Sequence, residues 1–204
     1  MSPPIVTPPG SMPLRPQRGQ ASVILEGLLW KAPRWAANRV RLGVYRILGM
    51  KLGQRNRMEG GARCRHVRQI EIGDDNYFTQ GCWLVPSDAG HGGLRIRLGN
   101  NNYFNRNLMI DACGLIDVGN DNMVGPGVYI TDSNHAFGPG ISPKDAPMTV
   151  GHVRIGNRCW IGANAVILSG VELGDECVIG AGAVVTRSVA AGTVVAGVPA
   201  RPIR

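Results

Sequence analysis

The sequence predicts an all-β protein, a parallel β-helix built from six-residue repeats and preceded by a short amphipathic helical segment. Two observations carry this prediction. Large apolar residues return every six positions over most of the chain beyond residue 50, and glycine follows many of them. The 204 residues, 44% of them hydrophobic, suffice for one domain with a sizeable core.

Two segments precede the repeats. Residues 1–21 are rich in proline, which supports neither a helix nor a central strand, so we expect a disordered tail. In residues 22–50, apolar residues alternate with Lys and Arg at roughly helical spacing, with Pro33 expected to interrupt the pattern. This segment is therefore predicted to form one or two short, basic amphipathic helices.

The repeats are assigned to residues 51–190, and their first positions set the register. All 15 of these positions are large and apolar: Ile72, Phe78, Leu84, Leu98, Phe104, Ile110, Val118, Val124, Ile130, Ile155, Ile161, Ile167, Leu173, Ile179 and Val185. Three hexads make one 18-residue coil, and five coils open with a phrase such as Ile72-Gly73-Asp74-Asp75-Asn76. A weaker opening at Leu52-Gly53 indicates a sixth coil. The two longer insertions lie near Pro86–Gly93 and Ser133–Gly151.

A column of small residues is expected to point into the solenoid at the fifth position of each coil's first hexad. It consists of Asn76, Asn102, Asn122, Cys159 and Cys177. Cys159 and Cys177 are therefore interpreted as small core residues. The total of five Cys is odd and contains no Cys-x-x-Cys pair, which favours free thiols in a reducing, cytoplasmic compartment.

The net charge of +8 is unevenly distributed. Residues 1–70 hold 13 Lys and Arg against two Glu, whereas residues 71–204 hold 9 basic and 12 acidic residues. No segment is apolar over a membrane-spanning length, and the N-terminus lacks the apolar stretch of a signal peptide. A membrane span and secretion are therefore not expected.

The basic segment 22–50 admits two interpretations. With Trp30 and Trp35 it fits the surface of an anionic membrane, which would make the protein membrane-peripheral. Alternatively, its helix packs over the open end of the solenoid or on a neighbouring subunit. Nucleic-acid binding is not expected, because the segment has no known nucleic-acid-binding motif.

Three stretches resemble hexapeptide-repeat acyltransferases, most closely the sugar O-acetyltransferases of the galactoside, maltose and exopolysaccharide type. They run from Val153 to Val171, from Ile179 to Arg187 and from Ala196 to Arg204, and the resemblance covers about residues 70–204. It implies a left-handed parallel β-helix, a known exception to the right-handed crossover rule. It also implies a homotrimer with sites between adjacent prisms, acetyl-coenzyme A as donor, no metal, and a coenzyme A-binding tail at residues 191–204.

Acyl transfer from a thioester to a hydroxyl needs a base, and the pKa of histidine suits that task. His135, which ends the run Tyr129-Ile-Thr-Asp-Ser-Asn-His, matches the catalytic His of the resembling enzymes. Asn105 matches an acceptor-binding Asn, and Asp132 is a second candidate for acceptor binding.

The coenzyme A site implied by the resemblance has seven members: Trp160, Ala163, Ala181, Thr186, Arg187, Arg201 and Arg204. Trp160 precedes an inward-pointing Ile, so it is expected to point off the solenoid along the coenzyme. The two Ala would let the pantetheine arm approach the backbone, and guanidinium groups suit the phosphates.

Two departures leave the acceptor open. The acceptor-binding Asp of the family falls one or two positions after Asp111, where this chain has Ala112 and Cys113. The loop Asn134–Val150 contains no Arg, unlike the equivalent loop of the galactoside-type enzymes. A simple galactoside is therefore a less favoured acceptor than another sugar or glycan.

The predicted function is an acetyl-coenzyme A-dependent O-acetyltransferase acting on a sugar or glycan hydroxyl. The alternatives are an N-acetyltransferase of an amino sugar and a non-catalytic β-helix scaffold. A γ-class carbonic anhydrase would share the solenoid, but it needs closely spaced His ligands for zinc. No two histidines here are closer than 17 positions.

Overall fold

A computed structural model of the protein describes residues 32–87, 92–142 and 144–203. The chain divides into two compact units, Met1–Ala36 and Ala37–Arg204. The predicted tail at residues 1–21 and the first part of the 22–50 segment lie outside the described residues. Helix α1 spans Ala32–Ile47.

The strands of the second unit form three parallel sheets, here called A, B and C. Sheet A consists of β1 (Lys51–Leu52), β4 (Ile70–Ile72), β7 (Ile96–Leu98), β10 (Leu115–Val118), β15 (His152–Ile155) and β18 (Glu172–Leu173). Sheet B consists of β2 (Arg57–Met58), β5 (Tyr77–Phe78), β8 (Tyr103–Phe104), β11 (Met123–Val124), β16 (Trp160–Ile161), β19 (Val178–Ile179), β21 (Val194–Ala196) and, antiparallel to it, β22 (Arg201–Pro202). Sheet C consists of β3 (Arg63–Cys64), β6 (Trp83–Pro86), β9 (Met109–Ala112), β12 (Tyr129–Thr131), β17 (Val166–Ile167) and β20 (Val184–Val185).

The chain visits sheets A, B and C in turn, so each circuit is one coil of a three-sided prism. Six complete coils run from Lys51 to Val185 within the described residues. Every predicted first position of a hexad is buried, and the aromatic pair Phe78 and Phe104 stacks with ring centroids 4.7 Å apart. The six-residue register, the sixth coil and the free state of all five cysteines are therefore confirmed.

The inward column of small residues is a hydrogen-bonded ladder along the prism axis. Asn76 Oδ1 accepts from the backbone N–H of Asn102 at 3.0 Å, and Asn102 Oδ1 accepts from that of Asn122 at 2.9 Å. Cys159 continues the column, where its Sγ donates to the Gly174 carbonyl at 3.2 Å. A carboxamide can donate and accept at once, so each Asn joins two coils without leaving a buried polar group unpaired.

Helix α1 closes the end of the prism at the first coil. Asn38 Oδ1 accepts from the backbone N–H of Met58 at 2.6 Å, and Arg41 donates to the Glu59 carbonyl at 2.7 Å. Leu42 is buried, and Tyr45 packs against the core. Of the two interpretations of this segment, packing over the open end therefore holds for Asn38 to Tyr45.

Helix α1 begins at Ala32, so Pro33 lies in its first turn, where a missing backbone N–H costs nothing. The part of the 22–50 segment that precedes Pro33 lies almost entirely outside the described residues, so the expected interruption there stays a prediction. One expected boundary is wrong: the solenoid does not end at residue 190, since β21 stacks on β19 as a further rung and β22 folds back against β21.

The outward side chains of the three sheets differ in character. Sheet A presents a column of alternating charge: Lys51, Glu71, Arg97, Asp117, Arg154 and Glu172. Above the first coil, sheet B presents Tyr77, Tyr103, Met123, Trp160, Val178 and Val194. Sheet C presents Trp83, Met109, Tyr129, Val166 and Val184. Sheet A is therefore suited to solvent, whereas sheets B and C carry apolar faces.

Candidate active site

His135 lies on a hairpin that leaves the prism where the chain passes from sheet C to sheet A. The hairpin strands are β13 (Ser133–His135) and β14 (Met148–Val150), which pair antiparallel with His135 opposite Met148. Beyond them the backbone N–H of Ala136 donates to the Pro147 carbonyl at 2.9 Å. The second predicted insertion is thus an ordered arm whose first strand carries the histidine.

Asp132 fastens the base of this hairpin. Its side chain is fully buried, and the carboxylate accepts the backbone N–H groups of Cys113 at 2.7 Å and Gly114 at 2.8 Å. Its carbonyl accepts the N–H of Gly151 and the hydroxyl of Ser169, both at 2.7 Å. Asp132 therefore links the coil below the hairpin to the coil above it. Its bond to Gly151 also ties the end of the hairpin to its start.

The packing around Asp132 is close. A Cβ placed on Gly114 would lie 2.6 Å from Val150 Cγ1 and 3.2 Å from Asp132 Oδ2, so only glycine fits there. Burial raises the pKa of Asp132, and the two amide N–H groups oppose that shift. With both carboxylate oxygens engaged inside the fold, Asp132 has no exposed face for an acceptor. Its predicted role in acceptor binding is therefore replaced by that of a support for the hairpin.

The His135 side chain itself is exposed and lines an open cleft of about 640 Å³. The other lining residues are Asn134, Ala136, Phe137 and Thr149. Phe137 has 90% of its surface exposed, an unusual state for a large aromatic side chain beside a polar cleft. No described residue hydrogen-bonds the His135 imidazole, so both ring nitrogens remain available to a substrate.

Asn105 lies on a different edge of the prism. It follows β8 of sheet B and precedes β9 of sheet C, whereas His135 follows β12 of sheet C. Its Oδ1 accepts from the backbone N–H of Arg106 at 2.8 Å, which leaves Nδ2 as the group able to donate to a ligand. Within one chain, sheet C separates Asn105 from His135.

Trp160, Ala163 and Ala181 lie near the same B-to-C edge as Asn105. Trp160 points outward as predicted, with 57% of its surface exposed, between Met123 below and Val178 above. Ala163 and Ala181 occupy equivalent corner positions in successive coils, where Ala163 is half-buried and Ala181 is exposed. A Cβ on Gly162 would lie 2.5 Å from the Ala181 nitrogen, so these two coils are closely stacked at this edge.

The remaining predicted coenzyme A residues are at or beyond the last complete coil. Thr186 and Arg187 follow β20 at the C-to-A edge, and both are exposed. Arg201 lies in β22, exposed, and donates to the Ala200 carbonyl at 2.9 Å. Arg204 lies outside the described residues.

One chain therefore carries two separate groups of candidate residues. The C-to-A edge holds His135, Thr186 and Arg187, and the B-to-C edge holds Asn105, Trp160 and the two alanines. The sequence motifs did not predict this separation. A repeat pattern assigns each residue to a hexad, but it does not show which edges of neighbouring chains come together.

The buried cysteines are poor nucleophiles. Burial raises the pKa of both Cys82 and Cys159 to about 11, so each remains a protonated thiol near neutral pH. Within the described ranges, no three His, Cys, Asp or Glu side chains are grouped to hold a metal ion. Across the same ranges, no helix is both long and apolar enough to span a bilayer.

Comparison with known proteins gives one family model and several curated relatives. Residues 152–187 match the hexapeptide repeat of succinyl-transferase. The chain is 32% identical over 148 residues to the putative lipopolysaccharide biosynthesis O-acetyl transferase WbbJ of Escherichia coli K12, covering 69% of this chain and 74% of that protein. It is 44% identical over 110 residues to nodulation protein L of Rhizobium meliloti, covering 53% of this chain but only 59% of that protein.

Among solved structures, the fold is similar to that of a galactoside acetyltransferase in complex with coenzyme A. The TM-score is 0.58 at 30% identity, covering 71% of this chain and 64% of that one. The similarity agrees with the prism described above and confirms the predicted class of left-handed β-helix.

Proposed function

Because this chain belongs to the hexapeptide-repeat acyltransferase family, we propose that it transfers an acetyl group from acetyl-coenzyme A to a hydroxyl of a sugar or glycan. The observation that carries the proposal is the exposed His135, presented on an arm that a buried carboxylate fastens to the prism. The named O-acetyltransferases among the relatives support oxygen as the acceptor atom.

His135 acts as the general base. The imidazole takes the proton of the acceptor hydroxyl as its oxygen attacks the thioester carbonyl carbon, forming a tetrahedral intermediate. When that intermediate collapses, the carbon–sulfur bond breaks, the acetyl ester is released, and the departing sulfur takes the proton from the imidazolium. No acyl-enzyme forms, so the thiols of the protein take no part.

Coenzyme A lies along the exposed Trp160 and the corner formed by Ala163 and Ala181, whose small side chains leave room beside the backbone. The indole offers an apolar surface to the pantetheine arm, and peptide groups at the corner can hydrogen-bond its amides. Thr186, Arg187, Arg201 and Arg204 supply a hydroxyl and guanidinium groups for the phosphates. Charge reversal at Arg187 should then weaken coenzyme A binding several-fold.

The active site is completed between chains of a homotrimer. Sheets B and C carry apolar outer faces, and a heterologous contact between sheet B of one chain and sheet C of the next closes a ring. Such a contact brings the His135 arm of one chain towards the Trp160 column of its neighbour. It also leaves the charged face of sheet A in solvent.

The first experiment is a calorimetric titration of the purified protein with acetyl-coenzyme A and with free coenzyme A. We expect saturable binding close to one ligand per chain.

The second experiment follows release of the free thiol of coenzyme A with a panel of sugar hydroxyl acceptors and, in parallel, with amino sugars. Faster turnover of amino sugars would assign an N-acetyltransferase instead.

His135→Ala is the matched control in both assays. Because the side chain is exposed, the variant should keep the melting temperature and coenzyme A affinity of the wild type while turnover falls roughly 10²- to 10⁴-fold. Turnover equal to wild type would remove His135 from the chemistry. Absence of coenzyme A binding to the wild type would favour a non-catalytic scaffold.

A further inference from the structure

Helix α1 has a second face that the prism does not use. Its inner face, which includes Asn38, Leu42 and Tyr45, covers the first coil. Val40, Val44 and Ile47 recur at helical spacing on the opposite side, and Leu48 follows the last turn. Their exposed fractions are 68%, 45%, 86% and 50%, respectively. Four adjacent large apolar side chains at such exposure form a patch rather than scattered surface residues.

The first coil, which the helix covers, carries an excess of positive charge, although Lys51 and Arg55 pair with Glu71 and Asp75 of the second coil. Between Ala37 and Ile70 the sequence has nine Lys and Arg, and Glu59 is its sole acidic residue. Arg57, Arg63 and Arg65 are exposed, and none of them forms an ion pair with another described residue. The Glu59 carboxylate accepts from the Tyr77 hydroxyl and forms no ion pair with any of these three arginines.

The excess of positive charge is found at this end of the prism and not in the higher coils. From the second coil upwards, sheet A alternates acidic and basic residues, as in Arg97 and Asp117 with N···O 3.3 Å. Arg158 likewise pairs with Glu176. The helix-capped end therefore combines an apolar stripe with uncompensated guanidinium groups.

We propose that this end docks onto an anionic lipid surface, with Val40, Val44, Ile47 and Leu48 entering the headgroup boundary and the first-coil arginines facing lipid phosphates. An apolar helical stripe rimmed by cations has the composition of an interfacial helix. Two arginines of the helix, Arg41 and Arg46, donate to carbonyls of the first coil and are therefore not counted among the arginines that face the lipid. The proposal does not depend on the acyl acceptor.

The test is co-sedimentation of the full chain with vesicles of equal parts phosphatidylglycerol and phosphatidylcholine, and with vesicles of phosphatidylcholine alone. We expect binding to the anionic vesicles that falls several-fold between low and high salt, and little binding to the neutral ones. The double variant Val40→Ser/Ile47→Ser should reduce binding several-fold. Serine and valine have similar helix propensities, so the helix should persist.

Matched controls separate this end from the rest of the surface. Val198→Ser/Ile203→Ser removes two equally exposed apolar side chains elsewhere and should leave binding unchanged. Arg57→Gln/Arg63→Gln/Arg65→Gln should weaken binding, whereas Arg106→Gln/Arg154→Gln/Arg158→Gln, with the same change in net charge, should not. Circular dichroism and melting temperature verify the folding of each variant.

Three results would overturn the proposal. If the valine–isoleucine double variant and the arginine triple variant of the helix-capped end both bind vesicles as well as the wild type does, any lipid contact lies elsewhere in the chain. Tighter, arginine-dependent binding to duplex DNA than to vesicles would assign a nucleic-acid surface. A change of oligomeric state in Val40→Ser/Ile47→Ser, measured by analytical ultracentrifugation without lipid, would make the stripe a contact between copies of the chain.

Discussion

Asp132 precedes His135 by three positions and is the residue on which the geometry of the candidate site most depends. Asp132→Asn keeps one acceptor oxygen but turns an amide towards the second backbone N–H, of Cys113 or Gly114. One buried N–H then lacks a partner, at a cost of about 1–3 kcal/mol, and the hairpin base loosens. Because small misplacements of a catalytic group are costly, kcat should fall roughly 10- to 100-fold.

The readout that separates positioning from general destabilisation is the split between kcat and KM. In Asp132→Asn the KM for acetyl-coenzyme A should stay near the wild-type value, since the hydrogen bonds of Asp132 reach none of the residues assigned to coenzyme A. Asp175→Asn is the matched control, because Asp175 also accepts a backbone N–H, that of Asn157 at 2.8 Å, but far from the hairpin. Unchanged kcat in Asp132→Asn, or an equal loss in both variants, would refute the positioning role.

At the residue scale, the motif predicts His135 as the base and Asp132 as an acceptor-binding residue, but it does not predict that the Asp132 carboxylate is buried. The motif places both residues in one short run, and nothing in that run tells which side chain turns inward. The direction follows from contacts with Cys113, Gly114 and Ser169, which are 18 or more positions away. Alternation along the strand is lost where β12 ends, so periodicity could not supply it.

The ladder of Asn56, Asn76, Asn102 and Asn122 is the element that holds successive coils together. Asn102→Ala removes the partners of the Asn122 N–H, at 2.9 Å, and of the Gly119 carbonyl, also at 2.9 Å. Two buried groups left unpaired should destabilise the protein by about 2–5 kcal/mol in urea unfolding. Asn102→Cys should cost less, because Cys159 in the same column donates its Sγ to a Gly carbonyl.

The ordering of these two variants is the informative result. If Asn102→Cys unfolds at the same urea concentration as Asn102→Ala, the column acts through side-chain volume alone and the ladder contributes no stability of its own. The urea concentrations at the unfolding midpoint are compared only if the unfolding free energy depends on urea with the same slope in both variants. A change in that slope would report a change in the unfolded state.

At the element scale, the six-residue period predicted the sheets well because each hexad is a local unit with its own apolar position. Phe104 and Ile130, for example, are assigned to the core by position alone, and both are buried. The pairing of β13 with β14 was not predicted, since the insertion breaks the period and its two strands are joined by a long loop.

On the scale of the molecule, the second unit, Ala37–Arg204, is polarised along the prism axis. The uncompensated arginines and the apolar stripe lie at the first coil, and the His135 arm leaves the fourth coil. With strands spaced about 4.8 Å apart, the arm stands roughly 14 Å above the helix-capped end. If both proposals hold, a docked enzyme would present its base at a height that a membrane-attached glycan of a few sugars can reach.

In the proposed trimer, His135 of one chain works with Asn105 and Trp160 of its neighbour. His135→Ala and Asn105→Ala, each expected to lose most of the turnover, are mixed in equal amounts, unfolded and refolded together, and thiol release from acetyl-coenzyme A is measured. Random assembly would give intact sites at about a quarter of the positions, so the mixture should recover activity to roughly that fraction of wild type. A mixture as inactive as its two components would contradict the claim and place both residues in a site within one chain.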